Sequence, residues 1–561
     1  MIQSKRWFLL AFFLLTAIAS VQSATYLAKN GAVVSRSSLA SAVGRDILKR
    51  GGNAIDAAVA TGFALAVTYP SAGNLAGGGF AVIRLQDGSS RTLDFRETAP
   101  SSVDHKTFLD EEDNVIDNLL TLHTLGSGVP GTVDGLLLLH QTYGTLPLKD
   151  LIKPAIDLAG KGFILSASMV ASFEKQMIYM RKHPASMDVF TNNGRSYRVG
   201  EKWIQKDLMR SLKRIAGKGR AGFYEGKTAE LIVGEMERTG GAMTLQDLKK
   251  YRSIWRDPIH GTYRDYRIIS MPPPSSGGVL LVQILNMLEP TDVQSMGWGN
   301  HDLIHLMIEA ERLAYADRAV FLGDPDFSTV PTETLIDKTY ALNRITGVDP
   351  MKAGVSKSVS EGQIPEESLE TTHFSVLDRT GNLVSITTTL NWAYGNKMVV
   401  PGAGFLLNNE MDDFVVKPGV PNSYGLLGNK KNLVQGGKRM LSSMAPTIII
   451  GPDGSLAVLG SPGGSTIITS VLQVTMNLID HQMTMEQAIR APRFHHQWLP
   501  DRVRFEPFAW TPALLSNLEG KGHRELKPQQ SYIGDVNGIL LRKGIIEAVT
   551  DPRYDSLPGV Y

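Results

Sequence analysis

Residues 372–389, THFSVLDRTGNLVSITTT, constrain the fold of this 561-residue chain more than any other stretch. Two runs that alternate apolar with polar, mostly hydroxyl-bearing residues flank the turn signal DRTGN, 378–382, in which Gly381 suits a positive φ. Folding the hairpin about Thr380 sets His373 opposite Thr387, Ser375 opposite Ser385 and Leu377 opposite Leu383, and carries Thr371 to Thr389. On the other face Phe374 meets Ile386 and Val376 meets Val384. The period of two thus predicts one apolar core face and one hydroxyl-rich face, in a register that turn chemistry sets and that a slip of one residue would invert. Stacked threonine pairs also occur simply as good strand residues, so the pairing alone assigns no function.

What precedes the hairpin changes that reading. DPMKAGVSKSVSEGQIPEESLE, 349–370, is rich in Gly, Ser, Pro and charge and offers little to bury, which predicts an exposed, mobile linker or a domain boundary. It ends at Glu370, directly before Thr371. A threonine hydroxyl is a weak nucleophile unless a base sits beside it, and one solution makes the threonine an N-terminus so that its own α-amine is the base. A free α-amine has a pKa near ~7.7–8.0, close to the pH at which it must accept protons. That arrangement requires a cut between Glu370 and Thr371, which the same hydroxyl can begin by attacking the preceding carbonyl to give an ester that water hydrolyses.

The rest of the chain sets limits. Its length predicts two domains or one large multilayer structure, and 43% hydrophobic with 20% charged residues is a soluble globular balance. A net charge of +2 without basic runs argues against a nucleic-acid partner. Lys5 and Arg6 precede the apolar WFLLAFFLLTAIA, 7–19, and small and polar residues follow, which predicts a signal peptide over 1–23 and a periplasmic or secreted protein without a stable membrane span. With no cysteine, thiol nucleophiles and thiolate metal sites are excluded. Residues 53–70 read as a buried helix and 301–324 as a second, with Ile304, Met307, Ile308 and Leu313 on its apolar side. Residues 71–85 read as a glycine loop entering a strand, and strand-like runs gather after residue 370, so an α/β or α+β layered protein is expected.

TTHFSVLDRTGNLVSITTTLNWAYG, 371–395, resembles the signature of the γ-glutamyltranspeptidases. The similarity continues through LLNNEMDDF (406–414), RMLSSMAPT (439–447), GSPGGS (460–465) and APRFHHQWLPD (491–501), and upstream through LDFRETAP (93–100), GVPGTVDGL (128–136) and MPPPSSGG (271–278). The resemblance implies an α/β N-terminal nucleophile hydrolase fold, a four-layer αββα sandwich made as a self-cleaving precursor. A large subunit of 24–370, with a mobile tail over about 349–370, and a small subunit of 371–561 would form a heterodimer.

Carried over residue by residue, the resemblance makes Thr371 the processing and catalytic nucleophile, with Thr389 hydrogen-bonded to it. Gly463 and Gly464 would form the oxyanion hole, where only glycine lets a backbone approach so closely. Reading GSPGGST as a phosphate loop is weak, since no lysine follows the glycines. Arg96, Ser442 and Ser443 would hold the α-carboxylate of a γ-glutamyl group, and Asn391, Glu410 and Asp413 its α-ammonium. Some family members carry Gln where Glu410 stands. KPGVPNSYGLLGN, 417–429, resembles a lid loop with Tyr424 as its gating aromatic. The adjacent His495 and His496 point to opposite sides of an extended segment, so no metal is expected there, and no cofactor elsewhere.

The expected reaction is ping-pong acyl transfer from glutathione or another γ-glutamyl compound to water, an amino acid or a dipeptide. A cephalosporin (glutaryl-type) acylase of the same fold is the nearest rival, and its acyl group lacks the ammonium that Glu410 and Asp413 would meet. An exported binding protein that stays in one piece is the rival from another class.

Overall fold

The computed structural model describes residues 25–116, 118–356, 371–420, 428, 430–507, 510–529 and 531–561. The expected signal segment, Glu370 with the tail beyond Ser356, and Tyr424 lie outside the described residues.

Two seven-stranded antiparallel sheets form the centre. The first runs Thr25–Ala28, Ile545–Val549, Asn537–Arg542, Leu456–Gly460, Thr447–Ile450, Tyr266–Ser270, Ile259–Tyr263. The second runs Gly559–Val560, Ala32–Ser35, Thr372–Leu377, Leu383–Thr389, Gly78–Arg84, Ser90–Asp94, Ile254–Arg256. Both contain strands from either side of residue 370. This corrects the expectation that strands gather after it, because the earlier ones are short and separated by long helical stretches.

Alternation along the second sheet shows the layering. Val33, Ala81, Ile83, Phe374, Val376, Val384 and Ile386 pack into one core with the helices Ser38–Lys49, Ala54–Thr68 and Leu148–Lys161. Their sequence neighbours Ala32, Val34, Phe80, Val82, Leu377 and Leu383 turn the other way, into a core shared with the first sheet and the helices Gly277–Leu288, His301–Phe321 and Thr466–Ile479. The result is helix, sheet, sheet, helix. Ala54–Thr68 is buried on every side, as its sequence predicts, and starts with a capping box between Asn53 and Asp56.

The hairpin pairs in the expected register, with Thr372 opposite Thr388, His373 opposite Thr387 and Ser375 opposite Ser385. Its hydroxyl-rich face is not a solvent face; it lies between the sheets. Ser385 Oγ donates to the Leu459 carbonyl (3.1 Å) and accepts from the Thr447 N–H (3.1 Å). The His373 ring bonds Thr387 Oγ1 and Ser375 Oγ, each at 2.9 Å, and burial pushes its pKa down to about 3, so it stays neutral.

The start of the expected linker is anchored. The Ala353 N–H donates to the Lys521 carbonyl (2.7 Å) and the Ser356 N–H to Asp501 Oδ2 (3.0 Å), and Ser356 is buried. Composition missed this because the partners come from distant segments.

Candidate active site

Thr371 stands just before the strand Thr372–Leu377, and Thr389 ends the partner strand, so the hairpin register brings both to one end of the sheet. The glycine loop of 71–85 packs against that end. Asn74 Nδ2 donates to the Thr389 carbonyl (2.9 Å), and Asn74 Oδ1 accepts from the Gly77 N–H (2.9 Å). A Cβ on Gly77 would come within 2.0 Å of the Thr389 carbonyl, so glycine is required for this approach. Thr389 Oγ1 accepts from the Asn391 N–H (2.7 Å), which fixes that hydroxyl from the far side.

One cavity joins nearly all the expected residues: Thr371, Thr389, Asn391, Arg96, Glu410, Asp413, Ser442, Ser443 and Gly464. Asn391 takes a positive φ (73°) beyond the strand end, a conformation asparagine tolerates better than most residues. Its Nδ2 donates to the Asn409 carbonyl (3.0 Å). Asn408 clamps the next turn: its Nδ2 donates to the Ala76 and Gly128 carbonyls (2.8 Å each), and its Oδ1 accepts from the Gly128 (2.8 Å) and Glu410 (3.0 Å) N–H groups. The short 3₁₀ turn Glu410–Asp413 then aims both carboxylates at Arg96.

The electrostatics are unusual for a wholly buried group. The Arg96 guanidinium is ion-paired with both Glu410 and Asp413, and Glu97 lies 3.6 Å away. Burial opposes the charge on Arg96, but these three acids hold its pKa above the ordinary value. Burial pushes Glu97 up to about 8 and raises Glu410 and Asp413, against the pull of Arg96. Among the described residues, neither Glu97 carboxylate oxygen has a hydrogen-bond partner, nor has Glu410 Oε2. The expected carboxylate-binding arginine is therefore already engaged with the groups expected to hold an ammonium.

Arg318, which the sequence reading missed, also lines the cavity. It continues the buried stripe Ile304, Ile308, Glu311, Tyr315 of the helix His301–Phe321 at helical spacing, and a charge in that register is the signal that would have found it. Leu313, expected on the apolar side, is only partly buried. Arg318 Nε donates to Ser276 Oγ (3.0 Å) and Nη2 to Ser443 Oγ (3.4 Å), and burial brings its pKa down to about 10. The MPPPSSGG segment supports the same wall: Ser276 N and Oγ both donate to the Ser442 carbonyl (2.8 and 2.7 Å).

Gly463 (φ 134°) and Gly464 (φ 55°) turn the chain into the helix Thr466–Ile479. Among the described residues neither N–H has an acceptor. Two such donors at a helix N-terminus suit a developing oxyanion. His495 and His496 diverge as expected: His495 Nδ1 bonds Thr469 Oγ1 (2.9 Å), whereas His496 Nε2 faces Asp501 (3.3 Å). Among the described residues, the cluster with ligand-like spacing is instead His305, Glu309 and His523, where His305 Nδ1 bonds His523 Nε2 (2.7 Å) and Arg312 occupies Glu309.

A family model described as Gamma-glutamyltranspeptidase matches residues 40–560. The glutathione hydrolase proenzyme of Escherichia coli (strain K12) is 45% identical over 538 residues, covering 95% of this chain and 92% of its own. Among solved structures, the cephalosporin acylase from Bacillus halodurans is similar with a TM-score of 0.84 at 27% identity, over 96% of this chain and 97% of that one. The Helicobacter pylori gamma-glutamyltranspeptidase gives 0.58 at 45% identity, over 58% of this chain and 94% of that one.

Proposed function

The chain belongs to the γ-glutamyltranspeptidase family, and on that premise we propose that it is a self-processing γ-glutamyl transferase and hydrolase acting on glutathione and related γ-glutamyl compounds. The observation that carries this reading is the one cavity in which a threonine, a glycine with an unengaged N–H, two arginines and two carboxylates converge. A γ-glutamyl group is a zwitterion at its far end. Its α-carboxylate takes Arg96, Ser442 and Ser443, while its α-ammonium takes Asn391, Glu410 and Asp413. The ion pairs from Arg96 to Glu410 and Asp413 are thus exchanged for pairs with the substrate's own charges.

Cleavage after Glu370 frees the Thr371 α-amine, which accepts the Oγ1 proton as Oγ1 attacks the γ-carbonyl. Thr389 orients that hydroxyl, and the N–H groups of Gly463 and Gly464 hold the oxyanion. The amine leaves with the proton, an ester remains on Thr371, and water or an acceptor amine resolves it. The basic and apolar residues near the N-terminus support export to the periplasm or beyond, and the two fragments, 24–370 and 371–561, stay together as a heterodimer.

The acylase reading has the support of the 0.84 TM-score. Glu410 and Asp413 weigh against it, because a glutaryl group gives them no cation. Intact mass and N-terminal sequencing beside a Thr371→Ala variant test the proposal. Two wild-type fragments, the smaller beginning Thr-Thr-His, and one uncut inactive variant are expected. A wild type that stays whole, or one that favours glutaryl over γ-glutamyl amides, would overturn it.

A further inference from the structure

His305 and Glu309 stand about one turn apart on the helix His301–Phe321, so both side chains leave the same face. His523 reaches that face from the segment that follows the helix Pro512–Gly520. All three are buried, and one nitrogen or oxygen from each lies within 4.8 Å of the others. None of them lines the cavity that holds Thr371, and the acyl-transfer chemistry makes no use of them.

The hydrogen bonds around the cluster leave it primed. The Asp349 carbonyl can only accept, so His305 carries its proton on Nε2 (2.9 Å) and turns the Nδ1 lone pair toward His523. His523 Nε2 donates to that lone pair at 2.7 Å, which leaves His523 Nδ1 buried and, among the described residues, without a partner. An outer nitrogen fixed on a backbone carbonyl is how metal-binding histidines are commonly oriented. Glu309 is oriented too, since Arg312 Nε and Nη2 donate to its two oxygens at 3.1 and 3.2 Å. Each of those oxygens keeps a further lone pair. Arg312 is also paired with Asp501, so two carboxylates answer this one guanidinium and leave negative charge for a cation to balance. Glu309 borders a cavity shared with Asp349, Gly354 and Trp498, which offers an ion a way in and room for a water.

We propose that these three side chains form a Zn²⁺ site, with His305 Nδ1, His523 Nε2 and a Glu309 oxygen as ligands and a water as the fourth. Two imidazoles, one carboxylate and one open position make a recognised zinc set. Zinc at about 2.0–2.1 Å from each nitrogen, at a tetrahedral angle, sets the two nitrogens about 3.3 Å apart, so the rings part by roughly 0.6 Å. The proton displaced from His523 Nε2 is taken up by Nδ1 of the same ring, so both imidazoles stay neutral as ligands. His305 and Glu309 lie before residue 370 and His523 after it. The ion therefore ties the two parts of the chain together where Lys521 already holds the segment after Asp349. There the Ala353 N–H donates to the Lys521 carbonyl, and Lys521 Nζ donates to the Pro350 carbonyl, each at 2.7 Å. The ligand set stands apart from the transfer reading; only its role as a clamp between fragments rests on the cut proposed after Glu370.

The test is calorimetric titration of the purified, metal-freed protein with zinc sulfate. One equivalent is expected to bind with a micromolar or lower Kd, and His523→Gln is expected to weaken that event by about a hundredfold or more. Glu309→Gln, which keeps the shape of the side chain, is expected to weaken it by about tenfold or more and stands in if the histidine variant does not fold. Excess zinc is expected to raise the unfolding midpoint of the wild type and to leave that of either variant unchanged. A wild type that takes up no zinc in the micromolar range would overturn the proposal, as would a variant that binds as tightly as the wild type. Neither arm reads γ-glutamyl activity, so this site and the transfer reading fail separately.

Discussion

The two spaces that meet at Thr371 are built by opposite means. The charged cavity is lined by ionisable groups that are almost wholly buried, with Arg96 paired to both Glu410 and Asp413. The other space, a cleft lined among others by Arg36, Asp535, Ile178 and Tyr532, has the Arg36–Asp535 ion pair and side chains of up to 68% exposure, as at Ile178. Buried charge discriminates strongly because a wrong ligand strands a group away from water, whereas exposed contacts let a mismatched ligand keep its hydration. On the proposed function the charged cavity is the donor side, and its buried groups discriminate more sharply than the exposed lining of the cleft.

The sharpest way to break that contrast is Arg96→Leu. It leaves Glu97, Glu410 and Asp413 without their cation, and losing one partner of a buried pair costs about 3–5 kcal/mol. Donor kcat/KM, measured with a γ-glutamyl anilide on processed protein, is expected to fall by about two to three orders of magnitude; a loss under tenfold would mean the cavity is not governed by these charges. Arg318→Gln is expected to act more mildly. Arg318 donates to Ser443 Oγ and so turns that hydroxyl's own proton outward, toward a bound carboxylate. A rise in donor KM of about tenfold with kcat within about twofold is expected, since one charge-assisted hydrogen bond is worth about 1.5–3 kcal/mol, with partial recovery in Arg318→Lys; an unchanged KM would remove Arg318 from the site.

The smallest effect separates the donors by pH. Burial raises Glu410 and Asp413, and the neighbouring Glu97 to about 8, so protons compete with a substrate ammonium for the Glu410 and Asp413 oxygens. Acidification from pH 8 to 7 favours the protonated acids and weakens ammonium binding, by at most about tenfold per unit for one group. Protonation of the Thr371 α-amine lowers donor kcat/KM for both substrates over that interval, and the drop is expected to be steeper for a γ-glutamyl anilide than for the desamino glutaryl anilide. Parallel profiles would place the titration outside the ammonium site.

The donor side was also the more legible in the sequence. The hairpin register could be read because Gly381 pins the turn and the faces alternate without interruption, and the paired position of Thr371 and Thr389 followed from it. The strands Thr447–Ile450 and Leu456–Gly460 and the buried helix Ala54–Thr68 were visible for similar reasons of period and length. Ala32–Ser35 and Ile254–Arg256 are too short to show a period, and their sheet positions depend on partners hundreds of residues away. Arg318 was hidden because an arginine in a helix ordinarily faces water. The pairing of Arg96 with Glu410 and Asp413 was hidden because spacing along a chain says nothing of which groups occupy one another while a site is empty. Arg36 and Asp535, 499 positions apart, gave no local signal at all.

The interleaving of strands in the two sheets fixes a chronology. In the second sheet Thr372–Leu377 lies between Ala32–Ser35 and Leu383–Thr389, which in turn pairs with Gly78–Arg84. The surroundings of Thr371 therefore exist only after segments from both ends of the chain have been woven together. While the chain is continuous, the connection through residue 370 spares folding the entropy of bringing two separate molecules together. With the cut after Glu370 that we propose, the two parts stay joined through the strand pairings they share in both sheets. On that proposal the covalent connection is a scaffold in the builder's sense, needed to raise the structure and struck when it stands.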